Sequence, residues 1–293
     1  MVNYLIGDIL KSFREYKKLS ISELSDGICT EDELISFEKD KAYPRLDTVY
    51  KLADRLNMDV SYFFNVVSET RINYSTAVIQ LIEKYKRERN YHAIDNIVHQ
   101  EMGNPLFSPP LLAQYIKWHE GICVFYIEKD LIKAESILNE AISITNPNRI
   151  NLTERETEIL NSIAILYYEN NDFHSALPIY LEAQTNLDKL PHILNSKVKI
   201  RVLFGLSQVF TKLGYYEESI KYCQKGIDLC INEESLYCFN EFHYQMGDNY
   251  IKLGENESGK KYLEECLHLL KLENKTRLLE IMEKEVEKLS INC

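Results

Sequence analysis

The feature that most constrains this chain is a set of small residues returning every 40 to 43 positions: Ala134, Ala176, Ser219 and Gly259. Ile122, Ala164, Ser207 and Gly247 precede it by twelve, and Ala141, Ala183, Gly226 and Cys266 follow it by seven. Phe125, Tyr167, Phe210 and Tyr250 stand nine before it, and Leu131, Phe173, Tyr216 and the weaker Asn256 stand three before. Small side chains let two helices cross closely, and aromatic rings fill the space beside the crossing. A unit of this kind cannot bury its apolar face alone, so its neighbours must stack on it. Tyr91 and Ala93 mark an earlier, poorer repeat over residues 72–103. Asn104-Pro105, Pro109-Pro110, Asn146-Pro147-Asn148 and Pro191 fall between units, where helix breakers belong. Arg277 to Leu289 reads as a closing helix over the last open face.

This is the tetratricopeptide pattern, with a period longer than the usual 34 residues. The expected fold is all-α: an N-terminal helix-turn-helix bundle, then a right-handed solenoid of about five helix pairs and a capping helix. The expected domains are residues 1–65, a linker at 66–71, and a repeat domain over 72–293. The 10 Gly and 7 Pro are few, and the alternation of a strand is nearly absent.

Ser20 to Glu38 reads as two short helices across a tight turn. Ser20 with Glu23, and Thr30 with Glu33, each form an S/T-x-x-E capping box. Leu24, Ile28, Leu34 and Phe37 supply one apolar face. Ile6, Ile9, Leu10 and Phe13 make the preceding helix amphipathic, and Pro44 breaks the chain before helical spacing resumes over Asp47–Leu56. Val60, Phe63 and Phe64 begin a fifth helix. A capped pair at this spacing suits a helix-turn-helix whose second helix enters a DNA major groove.

The motif L-S-x-x-I-C-x-x-x-E-L-x-x-x-E over Leu24–Glu38, with Y-P-x-x-D-x-x-x-x-x-A-x-x-L over Tyr43–Leu56, resembles the repressor-type helix-turn-helix. It is most similar to the N-terminal domain of PlcR-type regulators, the peptide-pheromone-responsive transcription factors of Gram-positive bacteria. Cys29 stands where Gly is usual. The resemblance implies two partners, operator DNA and a short signalling peptide, and a homodimer held by the repeat domains. It further implies DNA contacts from Lys17, Lys18, Ser20, Thr30, Glu31, Asp32, Ile35, Ser36, Lys39, Lys41, Tyr43 and Arg45. It makes Arg87 and Arg89 candidates for a peptide carboxylate, and Asn161 a clamp on the peptide backbone. Gly205 stands where relatives carry a second Asn, Glu241 where a Gln is expected, and Leu279 where a Tyr is. Phe64 and Gln245 complete the expected peptide-binding set.

Charge qualifies this picture. The net charge of −11 argues against a general polyanion binder. Residues 1–65 hold nine Lys/Arg against twelve Asp/Glu, and the second helix of the pair opens Glu31-Asp32-Glu33. These acids serve the helix dipole, or a carboxylate accepts from cytosine N4 while Ile35 packs on a thymine methyl. The alternative reading is a repeat protein that holds a protein partner, with a helix-turn-helix that no longer reads DNA. The 7 Cys show no C-x-x-C, which points to a reduced, cytoplasmic setting with inert buried thiols at Cys223, Cys230 and Cys266. No metal motif, phosphate loop or nucleophile–base pair is visible, so neither a cofactor nor catalysis is expected. Trp118 beside His119 and Glu120 reads as packing. No leader and no long apolar run is present, so neither secretion nor a membrane span is expected.

Overall fold

The computed structural model describes residues 6–39, 41–60 and 74–291. Among them are fifteen α-helices and no strand. They belong to two compact units, Met1–Glu83 and Lys84–Cys293. The expected linker at 66–71, the start of a fifth helix at Phe63 and Phe64, and Phe64 itself as a groove residue lie outside the described residues.

In the first unit α1 spans Ile6–Tyr16, α2 Ile21–Ser25, α3 Glu31–Glu38 and α4 Leu46–Arg55. Both capping boxes form. Ser20 Oγ accepts from the Glu23 N–H at 3.1 Å, and the Glu23 carboxylate accepts from the Ser20 N–H at 2.7 Å. Thr30 and Glu33 repeat the exchange at 3.2 and 2.8 Å. Between the helices Gly27 sits at φ +66°, the left-handed conformation that lets so short a turn close. Cys29 keeps an ordinary φ and packs partly buried on the core. That core joins Ile9, Leu10, Leu24, Leu34, Phe37, Val49, Leu52 and Leu56, one apolar stripe from each helix. Two arginines lock the arrangement. Arg14 donates from Nε and Nη2 to the Glu38 carboxylate at 2.6 and 2.8 Å and from Nη1 to the Leu19 carbonyl, tying α1 to α3. Arg55 donates from Nη1 to the carbonyls of Glu23 and Asp26, tying α4 to the end of α2.

The remaining helices are α5 (Tyr74–Arg87), which crosses the boundary between the units, α6 (Tyr91–Glu101), and four packed pairs: α7 (Pro110–Cys123) and α8 (Leu131–Thr145), α9 (Glu154–Glu169) and α10 (Phe173–Lys189), α11 (Ser196–Lys212) and α12 (Tyr216–Asn232), and α13 (Phe239–Lys252) and α14 (Asn256–Leu272). The closing helix is α15 (Thr276–Ile291). Within the second unit α6 to α15 pack in series, and the first helices of successive pairs also meet, α9 against α11 and α11 against α13.

The small-residue register marks the crossings. Ala134, Ala176, Ser219, Ala164, Ser207, Ala141 and Ala183 are all wholly buried. At the α13–α14 crossing, a Cβ on Gly247 would come 2.9 Å from the Gly259 carbonyl and 2.7 Å from Leu263 Cγ. Only glycine permits that approach.

A second register lies in the turns inside each pair. Arg89, Lys129, Asn171, Gly214 and Gly254, again 40 to 43 apart, all have positive φ, from +53° to +82°. Four of these turns close as Schellman motifs, with Asn90, Asp172, Tyr215 and Glu255 N–H bonded to the carbonyls of Tyr85, Tyr167, Phe210 and Tyr250. The turn at Lys129 instead follows a π-helical segment, Val124–Glu128. Asn90, Asp130 and Asp172 then cap the second helix of their pairs. A third capping box, Thr153 with Glu156, opens α9.

Candidate functional site

The first unit presents α3 with Leu34, Phe37 and Glu38 inward and Glu31, Asp32 and Lys39 exposed; Ile35 and Ser36 are half-buried. Lys17, Lys18, Lys41, Tyr43 and Arg45 are exposed around it. The hydroxyls of Ser20 and Thr30 are each engaged by a capping Glu, so they hold the helix starts. Arg45 is paired with Asp47 at 3.4 Å. Glu23 and Glu33 are held below the ordinary carboxylate range, chiefly by the cap residue's N–H and then by its hydroxyl. Part of the negative charge at this face is therefore structural.

In the repeat register of the second unit one position of the successive first helices is held by Ile116 on α7, Glu158 on α9, Arg201 on α11 and Glu241 on α13. Arg201 crosses between helices, donating from Nη1 to Glu158 Oε1 at 2.7 Å and from Nε to the Tyr237 hydroxyl at 3.0 Å. Burial pulls its pKa down, but Tyr237 and Glu158 more than offset this and hold it above the ordinary value. One turn along, Asn161 is 1% exposed, and its Oδ1 has no hydrogen-bond partner among the described residues. An unsatisfied buried amide oxygen costs about 1–3 kcal/mol unless something arrives to donate to it.

Around this row aromatic rings and cations alternate. Trp118 Nε1 donates to Ser162 Oγ at 3.0 Å, and Lys86 Nζ lies 5.2 Å over the Trp118 ring. Arg155 lies 5.9 Å over Tyr115 and donates to the Leu111 carbonyl. Trp118 is buried, as its reading as a packing residue requires.

The remaining expected residues fall in distinct places. Arg87 ends α5 and is exposed. Arg89 is the left-handed residue of the α5–α6 turn and is also exposed. Of the cations in this segment, Lys86 reaches the Trp118 ring of α7 and Lys84 lies over Tyr85 of its own helix. Gly205 requires correction: it is buried beneath Tyr180 of α10, whose ring occupies the space a Cβ would need. It is a close-packing position, and its neighbour Phe204 holds the repeat position matching Asn161. Gln245 is likewise committed inward. Its Nε2 donates to Thr211 Oγ1 at 2.8 Å, within a buried network of Thr211, Ser219 and Asn249 that joins α11, α12 and α13. Leu279 is half-buried on α15.

Glu241 stands in the first turn of α13, and burial pushes its carboxyl up from the ordinary range. The sequence did not single out Glu158, Arg201, Arg155 or Lys86. The repeat register, applied to polar as well as small positions, aligns Glu158, Arg201 and Glu241 directly. Cys223 and Cys266 are buried, with thiols pushed up to about 12 by that burial, and Cys230 up to about 11, as unreactive thiols should be. Among the described residues no group of three or more His, Cys, Asp or Glu is placed to hold a metal ion. No helix there is long and apolar enough to cross a membrane.

Residues 79–289 match the RNPP family C-terminal domain. The chain belongs to the RNPP family. This RNPP chain is similar in fold to Bacillus thuringiensis PlcR in complex with the peptide PapR7 and DNA (TM-score 0.73, 21% identity, 94% of this chain and 99% of that one covered). It is similar also to the SHP pheromone receptor Rgg2 of Streptococcus dysgalactiae (0.66, 17%, 97% and 99%). A third likeness is to ComR of S. thermophilus in complex with DNA and its signalling peptide ComS (0.59, 13%, 97% and 99%). No curated protein matches the RNPP chain in sequence.

Proposed function

We propose that this chain is a cytoplasmic transcription regulator: the first unit reads an operator, and the repeat unit holds a short signalling peptide that controls it. The observation that carries the peptide half is Asn161, a buried amide with an unsatisfied acceptor on the first helix of a central repeat. One amide can hold an extended main chain without reading its side chains. Family membership supports both halves, since two of the similar structures hold a peptide and DNA together.

One helix-turn-helix contacts too few bases for genomic selectivity, so the working form is a homodimer on a two-fold symmetric site. Lys17, Lys18, Lys39, Lys41 and Arg45 meet phosphates, and the exposed side of α3 with Ile35 and Ser36 meets base edges. Peptide acts as a switch by binding one arrangement of the dimer better than another.

The test is selection of genomic fragments by the purified chain, with and without an oligopeptide fraction of spent medium. Enriched fragments should share a two-fold site, and their recovery should depend on the peptide fraction. No enrichment under either condition would leave the alternative, a protein-binding repeat regulator without DNA reading. The exposed Glu31 and Asp32 are the observation favouring that second reading.

A further inference from the structure

The repeats place like positions in line, so an interruption of their charge pattern is informative. At the α9–α11 junction the row is self-satisfied, because Glu158 is met by Arg201 of the next pair at 2.7 Å. At α13 the same position is Glu241, and no arginine answers it. Its Oε2 is buried without a hydrogen-bond partner among the described residues. The nearby cation, Lys275, is engaged by Glu273 at 3.1 Å, and Glu273 also accepts from Asn240. Asn161 leaves a second buried acceptor orphaned two first-helices away. Orphaned buried acceptors mark places where a donor is missing.

We propose that the ligand of the repeat unit is a peptide bearing a cationic nitrogen, received by Glu241, about five residues from the backbone N–H that Asn161 accepts. This rests on the reading of the unit as a peptide receptor. The spacing follows from geometry. Neighbouring packed helices lie about 8–10 Å apart, so two steps span roughly 16–20 Å. An extended chain advances about 3.3 Å per residue, so five or six residues cover that span. Burial holds the Glu241 carboxyl above its ordinary range, which a cation would reverse on arrival. The nitrogen is either the peptide's terminal ammonium or a Lys or Arg side chain.

The full chain is challenged with a random heptapeptide mixture, once with free N-termini and once N-acetylated, and retained peptides are sequenced by mass spectrometry. The wild-type chain should either retain free peptides about tenfold better than acetylated ones or enrich Lys- or Arg-bearing peptides about tenfold over input, the scale of one charge-assisted hydrogen bond. Loss of retention on acetylation assigns the nitrogen to the terminus; persisting enrichment of Lys or Arg assigns it to a side chain. Glu241→Gln should abolish whichever preference is seen while retaining peptide, and Glu241→Lys should turn retention toward acidic residues. Retention that survives acetylation with no enrichment of Lys or Arg, or a preference unchanged in Glu241→Gln, overturns the inference and leaves the peptide-receptor reading standing. Failure of the wild-type chain to retain any peptide overturns both. The wild-type pool decides the matter even where a variant misfolds.

Discussion

At the scale of single residues, Asn161 and Arg89 separate what a side chain does for folding from what it does for binding. Asn161 Oδ1 makes no hydrogen bond in the free chain, so its removal strands nothing. Asn161→Ala should leave unfolding free energy in urea undiminished or raise it by up to about 1–3 kcal/mol, because the stranded oxygen goes with the side chain. It should also weaken a captured peptide by about 1–3 kcal/mol in calorimetry. A large stability loss with unchanged affinity would make Asn161 a packing residue. Arg89 poses the opposite test. It occupies the left-handed turn position that Gly214 and Gly254 fill in later repeats, at φ +53°. A non-glycine residue there carries about 1–2 kcal/mol of strain. Arg89→Gly should therefore raise stability by up to about 1 kcal/mol, and its effect on affinity for an acidic peptide then reports the guanidinium alone. Asn161 becomes a candidate clamp only through family resemblance; its burial and unmet acceptor were not legible in the sequence. The left-handed role of Arg89 was legible only by aligning turns, because arginine does not announce positive φ as glycine does.

At the scale of helices, the pattern of small and apolar residues carried most of the architecture. Both capping boxes at Ser20 and Thr30, the packed pairs from α7 to α14 and the closing helix follow from spacing. Polar positions were harder to read. Gly205 looked like a lost groove residue because glycine has no side chain to declare its face; the ring that fills its space, Tyr180, belongs to another helix. Gly205→Ala should cost about 1–3 kcal/mol, since Tyr180 is 2% exposed and its ring has nowhere to retreat. Trimming Tyr180 to Leu in the same chain should recover part of that loss, measured as a double-mutant cycle. The caps have their own signature. Glu23 and Glu33 are held below 4.5 by the N–H and hydroxyl groups they accept from. Their contribution is present above the unfolded value and is lost as pH falls below 4.5. Circular dichroism of the chain carrying Glu23→Gln and Glu33→Gln should show a weaker acid transition in the first unit than the wild type does.

At the scale of the whole molecule, two compact units held by different devices should unfold as two transitions. The first is pinned by one nearly buried ion pair, Arg14 with Glu38, whose side chains are 13% and 6% exposed. The second is held by a series of helix crossings and, across α11 to α13, by the buried network of Thr211, Ser219, Gln245 and Asn249. Breaking one partner of a buried pair leaves the other charge uncompensated, at a cost of about 3 kcal/mol or more. Arg14→Met should therefore lower the first transition alone, and adding Glu38→Leu should restore most of it, because the desolvation of Glu38 disappears with its charge. Gly205→Ala should lower the second transition alone. Saturating peptide should raise only that second transition, by about 2.7 kcal/mol at a hundredfold excess over Kd, since the proposed ligand site lies on the repeats. Calorimetry on the full chain reads all of these shifts. A single transition moved equally by Arg14→Met and by peptide would mean that the units unfold as one cooperative body. In that case peptide binding and operator reading are coupled through shared stability, and no rearrangement of two independently folded heads is needed to link them.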